Sequence, residues 1–227
     1  MTAGDLRTGR EKADLTQSKA AAKLGVSQPY LSLLENGERK MPSRLARRVA
    51  SLYRLSPSTL PLPENWQPRS ADPQELAQEL AALGYPGFSY LRSRKRRNPA
   101  ELMLTALSQG DLESRLTEAL PWVVLNYPNL DWNWLVSHVK QNALQNRLGF
   151  VTNVARRVAV ARDDAAATVL SQHEYELDAV RLVGEGTLCR DSLTNAEREW
   201  LRESRPEEAK HWNLLTDLEP EHLRYAA

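Results

Sequence analysis

Between Leu15 and Gly37 the chain reads LTQSKAAAKLGVSQPYLSLLENG, and its apolar positions recur at helical rather than alternating spacing. Ala20, Ala21 and Leu24 form one stripe, and Thr16 ahead of them is placed to accept from a free first-turn N–H as an N-cap. Gly25 suits the left-handed position that ends a helix, Val26 is an apolar plug, and Ser27 is the next N-cap. Pro29 falls in the first turn of the following helix, where its missing N–H costs nothing, and Leu31 and Leu34 face inward. The pattern predicts two short helices joined by a tight turn. Asp5 to Ala13 predicts a helix before them, with Leu6 inward, and Pro42-Ser43 opens a fourth with Leu45, Val49 and Leu52 on one face. Ser56-Pro57 starts a short fifth that ends at Leu60.

Past Leu60 the pattern changes. Four prolines between Leu60 and Pro73 rule out a continuous helix. Residues 63–97 therefore read as a Pro-rich, basic linker with one short helix, Gln74 to Leu83, stopped by Gly84-Tyr85-Pro86-Gly87. The basic run from Arg92 to Arg97 suits a solvated loop, contact with a phosphate backbone, or neutralisation of an acidic tail. From Asn98 onward the periodicity is helical again. Helices are predicted over Ala100–Ser108 and Asp111–Ala119, and Pro121 to Leu125 is apolar on all sides and so buried. Asp131 caps a long helix to about Arg162, within which Gly149 costs ~1 kcal/mol against Ala and so suggests close helix–helix approach. The tail alternates short helices and breaks, and no region is β-rich. The expected fold is all-α: a five-helix N-terminal domain (1–62), the linker, and a helical domain over 98–227.

A helix of about two turns, an intervening glycine and a second short helix are the layout of a DNA-reading helix-turn-helix. Arg10, Thr16-Gln17, Leu24-Gly25-Val26-Ser27, Leu31-Ser32, Leu34-Glu35-Asn36-Gly37 and Pro42-Ser43 occur together and in register. As a set they resemble the lambda-repressor-like, or xenobiotic-response-element (XRE), class of regulators over roughly Leu6 to Leu60. The resemblance implies a structural ion pair between Arg10 and Glu35, phosphate contact by Gln17 and nearby amides, and base reading from the Gln28 side of the next helix. Leu33 departs from it, since that position is usually polar and faces DNA. Either Leu33 touches a thymine methyl or the docking differs.

Gln28, Tyr30, Ser32, Leu33 and Asn36 lie away from Leu31 and Leu34 and, with Ser27, are the candidate DNA-binding residues. Gln and Asn can bond an adenine edge with donor and acceptor together, which makes Gln28 the leading candidate. Asn36 fits a helix C-cap as well, and Tyr30 fits a phosphate contact or partial packing. Arg39 and Lys40 in the following loop, and Arg44 and Arg47 beside Arg48 on the fourth helix, suit either phosphates or a solvated face.

Composition narrows the rest. Of the 227 residues, 41% are hydrophobic and 26% charged, ordinary for a globular protein. Residues 1–60 carry 11 Lys/Arg against 5 Asp/Glu, whereas residues 163–227 carry 7 against 15. A basic head suits a phosphate backbone; the acidic tail suits solvent, a basic partner or that head. A single cysteine, Cys189, excludes an intramolecular disulfide and a cysteine-rich metal site. The four histidines show no metal-ligand spacing, and no nucleophile elbow or phosphate-cradling glycine loop occurs. No catalytic residue, metal or cofactor is therefore expected. With no signal peptide and no apolar run near ~20 residues, a cytoplasmic, nucleoid-associated protein is expected, with no membrane partner.

Trp122, Trp132 and Trp134, with Tyr127, fall in a short window that suits either a partner surface or an ordinary core. Asn142, Gln145, Asn146 and Asn153 suit a solvent face or a symmetric interface. Two functional readings follow. In the first the chain is a sequence-specific regulator of double-stranded DNA, an autoregulating homodimeric repressor whose C-terminal region serves dimerisation, a small-molecule effector, or both. In the second it is an antitoxin whose C-terminal region neutralises a toxin protein.

Overall fold

The computed structural model describes residues 1–93, 96–162, 164–223 and 225. It is mostly helical and divides into two compact units, Met1–Glu64 with Arg96–Asn98, and the described residues of Asn65–Lys95 and Pro99–Ala227.

The first unit holds α1 (Ala3–Lys12), α2 (Gln17–Leu24), α3 (Gln28–Glu35) and α4 (Ser43–Leu52). Its helix ends follow local chemistry. Thr2 and Asp5 form a reciprocal capping box on α1, Thr16 accepts from the Lys19 N–H, and Ser27 accepts from the Tyr30 N–H. Gly25 closes α2 at φ 62°, a left-handed conformation that a side chain would strain. Leu6, Ala20, Ala21, Leu24, Leu31, Leu34, Leu45, Val49 and Tyr53 make the core.

The expected fifth helix is only a 3-10 turn, Pro57–Thr59. Leu60 precedes Pro61, whose ring disfavours helical backbone in the residue before it, and Leu60 is extended at ψ 141°. Asn98 then fastens this turn by donating to the carbonyls of Ser58 and Leu60 at 3.0 and 2.7 Å.

The second unit begins inside the stretch read above as linker. There α5 (Pro73–Leu83) buries Leu76, Leu80 and Leu83 and packs against α6 (Pro99–Leu107) and α7 (Ser114–Asn126). Trp66 is also buried in this unit, edge-on to His138. Prolines marked where helices stop, but not whether the intervening chain was packed.

Helix α7 runs straight through Pro121, which locally should break it at a cost of ~3 kcal/mol. Trp122, Val123, Val124 and Leu125 are all buried, and four large apolar side chains at ~1.5–3 kcal/mol each outweigh that cost. The long helix expected from Asp131 is instead two, α8 (Trp132–Gln141) and α9 (Gln145–Ala161). The break is at Ala143, at φ 55°. Val139 and Leu144 are five residues apart, out of phase with 3.6 residues per turn, and the turn restores both to the core.

α9 is the centre of this unit and packs against α7 and α10 (Ala166–Asp178). The tail adds α11 (Asn195–Ser204), α12 (Glu207–His211) and two-residue strands, β1 (Gly186–Thr187) and β2 (Leu214–Leu215), paired in parallel. Arg147, half-buried on α9, holds the β1 loop down. Its guanidinium donates to the carbonyls of Thr187, Leu107 and Gln109 at 2.7–2.8 Å and pairs with Asp191 at 3.0 Å.

Candidate nucleic-acid interface

A chain of four polar side chains runs through the first unit to the start of α3. Arg10 Nε and Nη2 donate to the two oxygens of Glu35 at 2.7 and 3.0 Å. Gln17 Nε2 donates to Glu35 Oε2 at 2.8 Å, and Gln28 Nε2 donates to Gln17 Oε1 at 2.7 Å. The bidentate ion pair is largely removed from solvent, with side-chain exposures of 12% for Arg10 and 2% for Glu35. Burial by itself would push the Glu35 carboxyl up, but the hydrogen bonds from Arg10 and Gln17, with the guanidinium charge, outweigh it and hold the carboxyl below its ordinary range. Arg10 is correspondingly raised, chiefly by its bond to Glu35. Beside them the Tyr53 phenol is buried and pushed up to about 12.

This arrangement changes the role expected of Gln17. Its amide bonds Glu35 and Gln28, which leaves one amide hydrogen and the local backbone to offer a phosphate. Gln17 and Ser18 open α2, where first-turn N–H groups have no helical carbonyl to bond. Gln28 is exposed, and its bond to Gln17 uses one amide hydrogen. The second hydrogen and the carbonyl oxygen remain, the pair an adenine edge needs.

Around Gln28 the predicted residues divide by burial. Ser27, Asn36, Arg39, Lys40, Arg44 and Arg47 are exposed, while Tyr30, Ser32 and Leu33 are half-buried. Tyr30 packs against the core cluster, and Ser27 is occupied as the α3 N-cap. Asn36 is the α3 C-cap, with its amide donating to Glu38 at 3.2 Å. Lys40 pairs with Glu64 at 3.1 Å, both fully in solvent, a contact worth little. Arg39, Arg44 and Arg47 have no hydrogen bond or ion pair among the described residues. Arg48 lies over the α2–α3 turn: a β-carbon on Gly25 would be 3.2 Å from its guanidinium. That brings a cation to the start of α3, a placement its helical spacing alone did not single out.

The tryptophan window assembles no surface. Trp122 and Trp132 are 8% and 6% exposed, because each fills the core of a mostly helical unit poor in phenylalanine. The Trp132 indole donates to the Pro128 carbonyl and stacks on His173 at 4.1 Å, and Trp134 lies half-buried over His138. The large exposed aromatics of this unit are instead Tyr90, Tyr175 and Trp200. The acidic tail is spent largely within its own unit, in pairs such as Glu174–Arg156, Glu185–Arg202, Asp191–Arg147 and Glu208–Arg157.

Cys189 is buried, and burial pushes its thiol up to about 11, the opposite of an activated nucleophile. Among the described residues no three His, Cys, Asp or Glu converge as metal ligands, and no helix is long and apolar enough to cross a membrane.

Residues 3–62 match the family model of a helix-turn-helix domain, consistent with the XRE-like resemblance of that segment. No curated protein and no solved structure matches the chain. The domain suggests a DNA-binding regulator, a family that is typically non-enzymatic.

Proposed function

We propose that this chain is a sequence-specific DNA-binding transcription regulator, an autoregulating homodimeric repressor that places α3 in the major groove of its operator and acts at the nucleoid. The observation that carries the reading is the Arg10–Glu35–Gln17–Gln28 chain, which fixes a solvent-exposed glutamine at the start of α3 while leaving its base-pairing edge free. The unpaired Arg39, Arg44 and Arg47 supply cations for phosphates. A single eight-residue reading helix spans few base pairs, so useful affinity calls for two copies on a twofold site. The second unit then serves dimerisation and effector binding.

The test is a footprint on the DNA upstream of the chain's own gene at two salt concentrations. A protected palindrome with half-sites about one helical turn apart, weakening steeply with salt, supports the reading. Salt-sensitive but sequence-indifferent binding overturns it.

Two substitutions separate reading from anchoring. Gln28→Ala costs ~1–3 kcal/mol of discrimination at one or two operator positions. Arg47→Ala weakens all sequences alike and lowers the slope of log affinity against log salt by about one. Competition binding against operators mutated one base pair at a time distinguishes the two.

The antitoxin reading differs in what the second unit does. Tyr175 and Trp200, 74% and 57% exposed, are the kind of side chain a partner protein would cover. Co-purification with the product of an adjacent small reading frame, and its absence when both aromatics are replaced by Ser, tests it.

A further inference from the structure

The second unit contains a cavity of about 670 Å³ lined by Tyr85, Phe88, Arg115, Glu118, His222 and Tyr225, with Pro86 and Gly87 completing the wall. Its volume falls within the ~300–1,000 Å³ typical of small-molecule sites. The aromatic wall is set in place before any ligand arrives. Tyr85 meets Phe88 and Trp122 edge-on, each at 5.4 Å between ring centres, and Tyr225 at 5.9 Å. A β-carbon on Gly87 would come within 2.5 Å of the Tyr85 ring, so the turn that carries Tyr85 also presses it into position.

Several arginines of this unit, Arg147, Arg156, Arg157, Arg190 and Arg202, are already engaged by carboxylates. Arg115 and Glu118, three residues apart on α7 and able to reach one another, form no ion pair, and neither side chain has a hydrogen bond among the described residues. One cation and one anion are therefore left facing a shared aromatic space.

We propose that this cavity binds a small aromatic zwitterion, an aromatic α-amino acid or a close analogue. Arg115 takes the carboxylate, Glu118 takes the ammonium group, and the ring lies among Tyr85, Phe88 and Tyr225. The two charges match the two ends of such a ligand, and the spacing of one helical turn matches groups carried on a single carbon. As an effector site the cavity extends the regulator reading, but binding does not depend on that reading and is measured without DNA.

The test is calorimetric titration of the full chain with four probes: L-tryptophan, L-phenylalanine, indole-3-propionate, which lacks the amine, and tryptamine, which lacks the carboxylate. L-tryptophan or L-phenylalanine is expected to bind saturably at one per chain, more tightly than either single-charge probe. Arg115→Gln weakens the carboxylate-bearing probes by about tenfold or more and leaves tryptamine unchanged. Glu118→Gln weakens the amine-bearing probes to a similar degree and leaves indole-3-propionate unchanged. Both side chains reach solvent and hold nothing in the fold, so an unchanged far-ultraviolet spectrum and melting point separate lost binding from lost structure. No saturable heat from any probe at millimolar concentration, or affinities that neither substitution moves, overturns the proposal.

Discussion

Glu35→Gln destabilises the N-terminal unit by about 3 kcal/mol at neutral pH, and this loss depends on pH in a direction that identifies its origin. Glu35 receives three hydrogen bonds, two from Arg10 and one from Gln17, in a pocket almost closed to solvent. The amide keeps the shape but leaves the Arg10 guanidinium without a counter-charge. Removing one partner of a buried pair costs far more than the pair contributes, because the surviving charge stays desolvated.

The folded-state Glu35 carboxyl lies below its ordinary range, so the stability it contributes is fully present above that range and is lost as pH falls through the lowered value. The gap between the native chain and Glu35→Gln is therefore constant through neutral pH and narrows below about pH 4. Native-state hydrogen exchange of the α1–α3 amides, measured across this pH interval, checks both magnitude and direction. A gap that persists undiminished in acid means the side chain acts by shape rather than charge. On the regulator reading proposed above, the same variant loosens Gln17 and, with it, Gln28, so operator discrimination falls even where enough folded protein remains to bind.

What could be read from the chain and what could not divide along the range of the interactions. Thr16, Gly25, Ser27 and Pro29 act on backbone within three or four residues of themselves, and each is found in the role its chemistry implied. Arg10 and Glu35 are 25 residues apart, and no spacing rule connects them; only the resemblance of the surrounding motif implied their pairing. Gln17 and Gln28 each have the chemistry to meet DNA. That one is used to position the other becomes visible only when the ten intervening residues fold back.

Two departures were nonetheless present in the residues. Pro61 disfavoured a helix at Leu60, and the five-residue step from Val139 to Leu144 broke the helical phase at Ala143. Pro121 failed as a breaker because the outcome depended on burial, a tertiary quantity. Arg147 gave no local signal at all, since the carbonyls it collects lie 38 to 40 residues away.

Gly149→Ala destabilises the second unit by about 2 kcal/mol, although alanine is the better helix former by ~1 kcal/mol. Gly149 lies in the second turn of α9, and what approaches it is not another helix but the indole of Trp212, the residue that closes α12. A β-carbon there would be 2.1, 2.3 and 2.6 Å from three ring atoms. Trp212 is fully buried, and its chain continues within two residues into β2, which is paired to β1. The ring therefore cannot withdraw without displacing the strand pair and the loop that Arg147 holds. Glycine is tolerated mid-helix because it lets a large aromatic surface lie directly on the α9 backbone, and the dispersion and burial gained exceed the propensity lost. A double-mutant cycle in urea unfolding isolates the contact. Gly149→Ala is costly beside Trp212 and stabilising beside Trp212→Leu, giving a coupling energy of about 1–3 kcal/mol. A neutral Gly149→Ala in the native background would place Trp212 elsewhere and leave the C-terminal segment without the anchor that the geometry assigns to it.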